Sequence, residues 1–306
     1  MLKHIFENKV EFYITNVCNL TCDNCNRFNN HKFAGWQRWS DYADTWRQWS
    51  EYIDIKNIVL MGGEPTLNST LNEWVTGLTE IFGSSIQILS NGIHLNKVPG
   101  LYDSLAQTRD RGGPVPGCVQ ISLHNLDHFE QIRNNIKTFL STPVHEYGQI
   151  LGIANGDQPM NSMYYSLRDI NDVVVNVHLA NSFSTAAVVP RPDGRFTLHN
   201  SDPVAAHKVC GFQMFRCYHF SHGKIFKCAP TELMLDFDSQ FNLDITEQDR
   251  ELLASYQPMT VDRWSQHHQA WLAELHEPIA QCKFCPETFE QQTIWPLVKH
   301  AKTVMA

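Results

Sequence analysis

The residues with the clearest chemical reach are cysteines. The chain carries nine, at Cys18, Cys22, Cys25, Cys118, Cys210, Cys217, Cys228, Cys282 and Cys285. The count is odd, and all but Cys118 fall into two groups separated by most of the chain. That distribution reads as two metal sites rather than a disulfide framework. The first group has the spacing C-x3-C-x2-C, in Cys18-Asn-Leu-Thr-Cys22-Asp-Asn-Cys25. Three thiolates on one short loop can hold three corners of a [4Fe–4S] cluster and leave the remaining iron open to a small chelating ligand. The same thiolates could instead join a distant histidine around zinc.

In the second group, Cys217 and Cys228 bracket a Gly223-Lys-Ile-Phe-Lys-Cys228 piece that reads as a tight turn and a strand ending at a cysteine. Cys282-Lys-Phe-Cys285 adds a C-x2-C pair. Pairs of ligands from two separated segments describe a four-cysteine site, either an iron–sulfur cluster or a structural zinc knuckle.

The elements that must position these groups follow from hydrophobic periodicity. Lys9–Thr15, Asn57–Met61, Ile86–Leu89, Cys118–Leu123, Gln149–Ala154 and Val173–Leu179 read as strands. Helical segments are expected over Asp41–Tyr52, capped by Ser40 or Asp41, and over Ser69–Phe82, Leu95–Gln107, Asp127–Leu140 and Ser162–Ile170. Such alternation implies an α/β fold of parallel strands, a partial (β/α)6 barrel, whose chemistry sits at the C-terminal strand ends. The alternation stops after about Pro190, past a turn-like Arg191-Pro-Asp-Gly-Arg-Phe196, so a boundary is expected near 190–205. The division is 1–200 for the barrel and 201–306 for a smaller C-terminal iron–sulfur domain.

Every motif passes that strand-end test. The cysteine loop follows the first strand. Met61-Gly62-Gly63-Glu64-Pro65 follows the second, Leu89-Ser90-Asn91-Gly92 closes the third, and Ile121-Ser122-Leu123-His124 closes the fourth. Glycines let backbone approach a ligand, and carbonyls with a carboxylate accept from an ammonium. His124 and His178 also sit near strand ends, as substrate contacts or as ordinary hydrogen-bonded histidines.

Over roughly residues 8–180 this arrangement resembles the radical S-adenosylmethionine superfamily. The resemblance implies that Cys18, Cys22 and Cys25 hold a [4Fe–4S] cluster whose open iron takes the amino and carboxylate groups of S-adenosylmethionine. It implies that Gly62, Gly63, Glu64 and Pro65 bind the methionyl end, with Ser90, Asn91 and Ser122 as further cofactor contacts. One departure is Asn24, where family members often carry an aromatic near the adenine.

The C-terminal cysteines resemble the auxiliary-cluster domains called twitch and SPASM. The shorter twitch type is expected, with an auxiliary [4Fe–4S] cluster on Cys217, Cys228, Cys282 and Cys285. Cys210 is then a spare ligand or a hydrogen-atom donor. The resemblance implies reductive cleavage of the cofactor, a 5′-deoxyadenosyl radical and hydrogen abstraction from a substrate C–H bond, as in oxidation or epimerisation. Its electron donor would be a flavodoxin or ferredoxin.

A small sugar- or cyclitol-like substrate is expected, since no peptide-recognition module fits ahead of the first strand. Trp36 and Trp39 could line its pocket or simply pack. The alternatives are a peptide- or protein-modifying maturase and a non-catalytic zinc or cluster scaffold.

Composition narrows the partners. In 306 residues, 42% are hydrophobic and 18% charged, with a formal charge of −8. There is no dense basic block for nucleic acid or anionic membrane, no run long enough to span a bilayer and no signal-peptide core, so a cytoplasmic location is expected.

Overall fold

The computed structural model describes residues 3–22, 25–108, 117–141, 144–147, 164–180, 182–184, 187–214, 216–288 and 291–293. The chain divides into two compact units. One is Met1–Asp23, Asn29–Ser182 and Thr293–Ala306; the other is Asn24–Phe28 and Phe183–Gln292.

The first unit is a sheet with helices in its crossovers. Strands β1 (His4–Thr15), β2 (Ile53–Gly62), β3 (Ser85–Ser90) and β4 (Cys118–Leu123) pair side by side and in parallel. Helices α1 (Trp39–Trp49), α2 (Leu71–Phe82) and α3 (Leu101–Thr108) connect them in turn. After α4 (Phe129–Phe139) come β5 (Val144–Tyr147), β6 (Tyr164–Asp169) and β7 (Val174–Leu179). β7 lies parallel to β4, whereas β6 runs antiparallel to β7 and β5 antiparallel to β6. The sheet is therefore mostly parallel, with an antiparallel edge.

Burial explains the helices. Trp46 and Trp49 of α1 and Trp74 of α2 are fully buried. Phe12 meets Trp46 edge-on with centroids 4.9 Å apart, and Trp39 meets Trp74 at 5.1 Å. Pairs of this geometry contribute about 0.5–1.5 kcal/mol beyond area burial. A Cβ on Gly77 would stand 2.1 Å from the Trp39 ring, so α2 needs glycine where that indole packs. Trp39 is thus a packing residue, while Trp36 is 46% exposed.

Two expectations need correction. The segment Ser162–Ile170 does not form a helix where it is described; Tyr164–Asp169 is strand β6. Asp169 makes the reversal, because Oδ1 accepts the N–H groups of Asn171 and Val173 at 2.9 and 3.0 Å. Asp172 then adopts a left-handed φ of 60°, and the chain returns as β7. Helix α1 begins earlier than expected, with Arg38 at the N-cap and no side-chain cap, rather than at Ser40 or Asp41. The strand expected over Gln149–Ala154 lies outside the described residues.

The second unit is built of short pieces. After β8 (Ser182–Ser184), strands β9 (Val188–Pro190) and β10 (Phe196–Leu198) form an antiparallel hairpin across Arg191–Arg195, with Gly194 at φ 83°. Helices α5 (Pro203–Lys208) and α6 (Gly211–Met214) precede a second hairpin of β11 (Tyr218–Ser221) and β12 (Lys224–Phe226). His222 and Gly223 both have positive φ at its turn, as a tight two-residue hairpin requires. Helices α7 (Pro230–Phe241), α8 (Glu247–Ala254) and α9 (Val261–Glu274) and a 3-10 turn over Ala280–Phe284 follow, and the unit ends within β13 (Gln291–Thr293), at Gln292. Among the described residues no helix is long and apolar enough to cross a membrane.

Candidate functional site

In the first unit the sequence motifs meet at the C-terminal ends of β1, β2 and β3. The Gly-Gly-Glu stretch lies directly against the chain entering the cysteine loop. Gly63 N–H donates to Thr15 O at 2.7 Å and Glu64 N–H to Val17 O at 2.8 Å. Those bonds require close backbone approach. A Cβ on Gly62 would stand 2.3 Å from Thr15 O; one on Gly63 would stand 2.3 Å from Val17 O and 3.0 Å from Cys18 Cβ. The glycines are thus demanded by the loop that carries Cys18, a reason independent of any ligand.

Glu64 is fully buried. Its Oε1 accepts from Thr66 N, Thr66 Oγ1 and Ser90 Oγ at 3.1, 2.6 and 2.7 Å, and Oε2 accepts from Asn91 N at 2.7 Å. Burial pushes the carboxyl up, and the hydrogen bonds from Asn91, Thr66 and Ser90 oppose it. Pro65 opens the 3-10 turn that Glu64 caps, fixing the carboxylate's entry angle.

Asn91 carries the network into the cysteine loop. Its Nδ2 donates to Asn19 Oδ1 at 2.7 Å, and its Oδ1 accepts Ile93 N at 3.0 Å. Asn19 is 2% exposed, and its Nδ2 has no acceptor in the described structure. Cys18 Sγ accepts the N–H of Leu20 at 3.4 Å. Cys18 and Cys22 fall in the first unit and Cys25 in the second.

Ser122 is half-buried at the end of β4, paired in register with His178 on β7. His178 hydrogen-bonds Gln120. His124 Nδ1 bonds Ala180 O at 3.2 Å, and burial pushes the imidazole down to about 4, so it is neutral at physiological pH. Cys118 opens β4, at the opposite strand end, where burial raises its thiol to about 11.

The second unit draws together the ends of separate segments. Asp202 caps α5 by accepting Ala205 N at 2.8 Å, and α5 delivers Cys210. Ser201 N–H donates to Lys283 O at 2.9 Å, joining that segment to the one bearing Cys282 and Cys285. Cys228 sits between β12 and α7, its carbonyl accepting Thr231 Oγ1 at 2.6 Å.

Burial and then the charges of Cys210 and Cys282 push the Cys228 thiol up to about 12. Burial raises Cys285 too, followed by Cys228, Cys210 and Cys282, and Cys282 rises through burial with Cys210 among its neighbours. Cys210 thus stands with Cys228, Cys282 and Cys285. Cys217 is half-buried just ahead of β11, where it contributes to raising the Tyr218 phenol after burial. The expected set places Cys217 with Cys228, Cys282 and Cys285 and leaves Cys210 spare; the nearness of Cys210 to the other three is a feature of tertiary packing.

Among the described residues no three His, Cys, Asp or Glu side chains stand close enough to grip a single metal ion.

A polar cluster that the sequence reading did not single out braces the same unit. Glu232, in the first turn of α7, pairs with His219 Nε2 at 2.7 Å and His222 Nδ1 at 3.0 Å, tying the β11–β12 turn to α7. Burial pushes this carboxyl up, but the histidine hydrogen bonds dominate and hold it down at about 2.

No protein-family model matches the chain, and no curated protein does. Some solved structures show partial likeness. SuiB of Streptococcus suis bound to S-adenosylmethionine is 19% identical over 41% of this chain and 27% of its own, with a TM-score of 0.32. SuiB in a second structure gives 20%, 41%, 26% and 0.31. Native anSMEcpe with bound AdoMet and Cp18Cys peptide gives 14%, 43%, 39% and 0.33. The chain therefore covers less than two thirds of each of these structures.

Proposed function

We propose that this chain is a radical S-adenosylmethionine enzyme, with a cluster on Cys18, Cys22 and Cys25 and an auxiliary cluster in the second unit. The observation that carries the reading is the junction of the Cys18 loop with Gly62, Gly63 and Glu64 and, through Asn19 and Asn91, with the β3 turn. The residues fit the cofactor. The backbone is held close to the cysteine loop, and the buried Asn19 Nδ2 is a donor without an acceptor, suited to a carboxylate.

When bound, the cluster would supply the electron for reductive cleavage of S-adenosylmethionine, giving a 5′-deoxyadenosyl radical that takes hydrogen from a substrate C–H bond. This chain's own residues bind and orient. Gly62 and Gly63 admit the close approach, Glu64 locks the β2 and β3 ends together, and Ser90, Asn91 and Ser122 frame the strand ends. The partial barrel is part of the same proposal, curving the sheet so that these ends face one cavity. For the auxiliary cluster we propose Cys210, Cys228, Cys282 and Cys285, because burial raises the last three thiols and each of them feels the charge of Cys210. This assignment withdraws Cys210 from the role of hydrogen donor. Oxidation or epimerisation of a small substrate is the proposed reaction class, on the ground of the family resemblance alone.

The test is anaerobic reconstitution with iron and sulfide, followed by S-adenosylmethionine and dithionite, with assay of 5′-deoxyadenosine. Product from the parent and none from C18A/C22A/C25A is the expected result. A parent that holds its clusters yet forms no product, alone or with candidate sugars, cyclitols and peptides, overturns the reading.

A further inference from the structure

Lys227 is 3% exposed, an uncommon place for an ammonium. It immediately precedes Cys228. Its Nζ donates to the carbonyls of Glu274, Leu275 and Glu277 at 3.0, 2.6 and 2.7 Å. An ammonium has three N–H groups, one for each of these carbonyls; burial lowers the group from its ordinary value, and the charges of Cys228, Cys282, Cys210 and Glu277 oppose that. Its backbone N–H donates to Tyr256 Oη at 2.8 Å. The acceptor carbonyls belong to the end of α9 and the turn after it, and that turn leads into the segment holding Cys282 and Cys285. A lysine in this position does two things at once. It staples the Cys228 end of the β11–β12 hairpin to the approach of the other cysteines. It also leaves a positive charge, hydrogen-bonded by carbonyls and with Glu277 as the nearby carboxylate, within the electrostatic reach of Cys228, Cys282 and Cys210.

We propose that Lys227 is the positioning residue of the four-cysteine site, holding Cys228 against the Cys282–Cys285 segment and raising the reduction potential of the cluster bound there. The inference rests on the auxiliary-cluster reading above. The sign follows from charge: reduction adds an electron to an anionic cluster, and a nearby buried cation stabilises the reduced form more than the oxidised one.

The experiment uses the full chain carrying C18A/C22A/C25A, reconstituted with iron and sulfide so that only the second site is filled. Lys227→Gln keeps N–H donors and bulk but removes the charge; Lys227→Met removes both donors and charge. Iron and sulfide content, then a redox titration followed by electron paramagnetic resonance, are the readouts. Expected is a filled Gln variant with a midpoint more negative than the parent's, and a Met variant with less bound iron. Tyr256→Phe loosens the same backbone but keeps the ammonium, and its midpoint should stay with the parent. A filled Gln variant whose midpoint equals the parent's overturns the proposal. So does a Tyr256→Phe shift as large as the Gln shift, which would make the effect one of packing. A parent that takes up no iron and sulfide at these cysteines overturns the auxiliary-cluster reading, and the role of Lys227 with it.

Discussion

The Asn91 backbone N–H donates to Glu64 Oε2 at 2.7 Å, so a carboxylate from the end of β2 closes the turn at the end of β3. The bond is buried and reads one way only: Asn91 N–H can donate but not accept. Glu64→Gln keeps the shape and an acceptor for Thr66 and Ser90, yet sets an amide N–H against the Asn91 N–H. A buried donor left unsatisfied costs about 1–3 kcal/mol. Glu64→Gln is expected to lower the unfolding free energy by that amount, read as a lower urea midpoint with an unchanged m-value. A variant as stable as the parent would mean the amide finds another partner and the Glu64–Asn91 bond contributes little.

Gly63 tests the other half of the junction. Because a Cβ there would meet Val17 O at 2.3 Å, Gly63→Ala must displace the loop ahead of Cys18. Cys210, Cys217, Cys228, Cys282 and Cys285 lie on other segments. The expected outcome is a folded protein that loses about four irons per chain at the first site and keeps those of the second. Iron and sulfide analysis after reconstitution, set beside C18A/C22A/C25A, checks this. Full iron at both sites would show that the loop yields without cost to the cysteines.

The parallel strands were legible because buried apolar runs ending in Gly, Ser, Asn or Cys announce both a strand and its C-terminal end. Ile58-Val59-Leu60 before Gly62 is one case, and Ile86–Leu89 before Ser90 is another. The β6 segment was misread because Tyr164, Leu167 and Ile170 recur at helical spacing. Asp169-Ile-Asn-Asp172 is the signal that could have corrected it, an acidic side chain capping a reversal ahead of a residue with positive φ. The choice among Cys210, Cys217, Cys228, Cys282 and Cys285 could not be made from spacing. It depends on where α5 and the 3-10 turn over Ala280–Phe284 dock, a property of packing rather than of local sequence.

His124 provides a pH test. Burial lowers its pKa from 6.5 to about 4, with the Ala180 carbonyl opposing. As pH falls through 6.5 the unfolded chain takes up a proton and the folded one does not, so stability declines between 6.5 and about 4. The contribution is fully present above that window and amounts to at most about 3 kcal/mol. His124→Gln should flatten this limb of the stability curve, measured as urea midpoints at a series of pH values. Parallel curves for parent and variant would place the acid sensitivity elsewhere.

The cysteine assignment yields the sharpest comparison. Cys210 shares an electrostatic neighbourhood with Cys228, Cys282 and Cys285, each of which is raised by burial first and by Cys210 among its other causes. Removing one of four thiolates leaves a cluster corner open to solvent or sulfide exchange. In the C18A/C22A/C25A background, Cys210→Ala is therefore expected to lose most of the bound iron and the visible absorption of the cluster. Cys217→Ala in the same background should retain both. The reverse pattern, with Cys217 required and Cys210 dispensable, would restore the ligand set that the spacing favours and free Cys210 for hydrogen donation. Loss with neither single variant would mean that Cys210 and Cys217 substitute for each other, which the double variant would then reveal by losing the cluster.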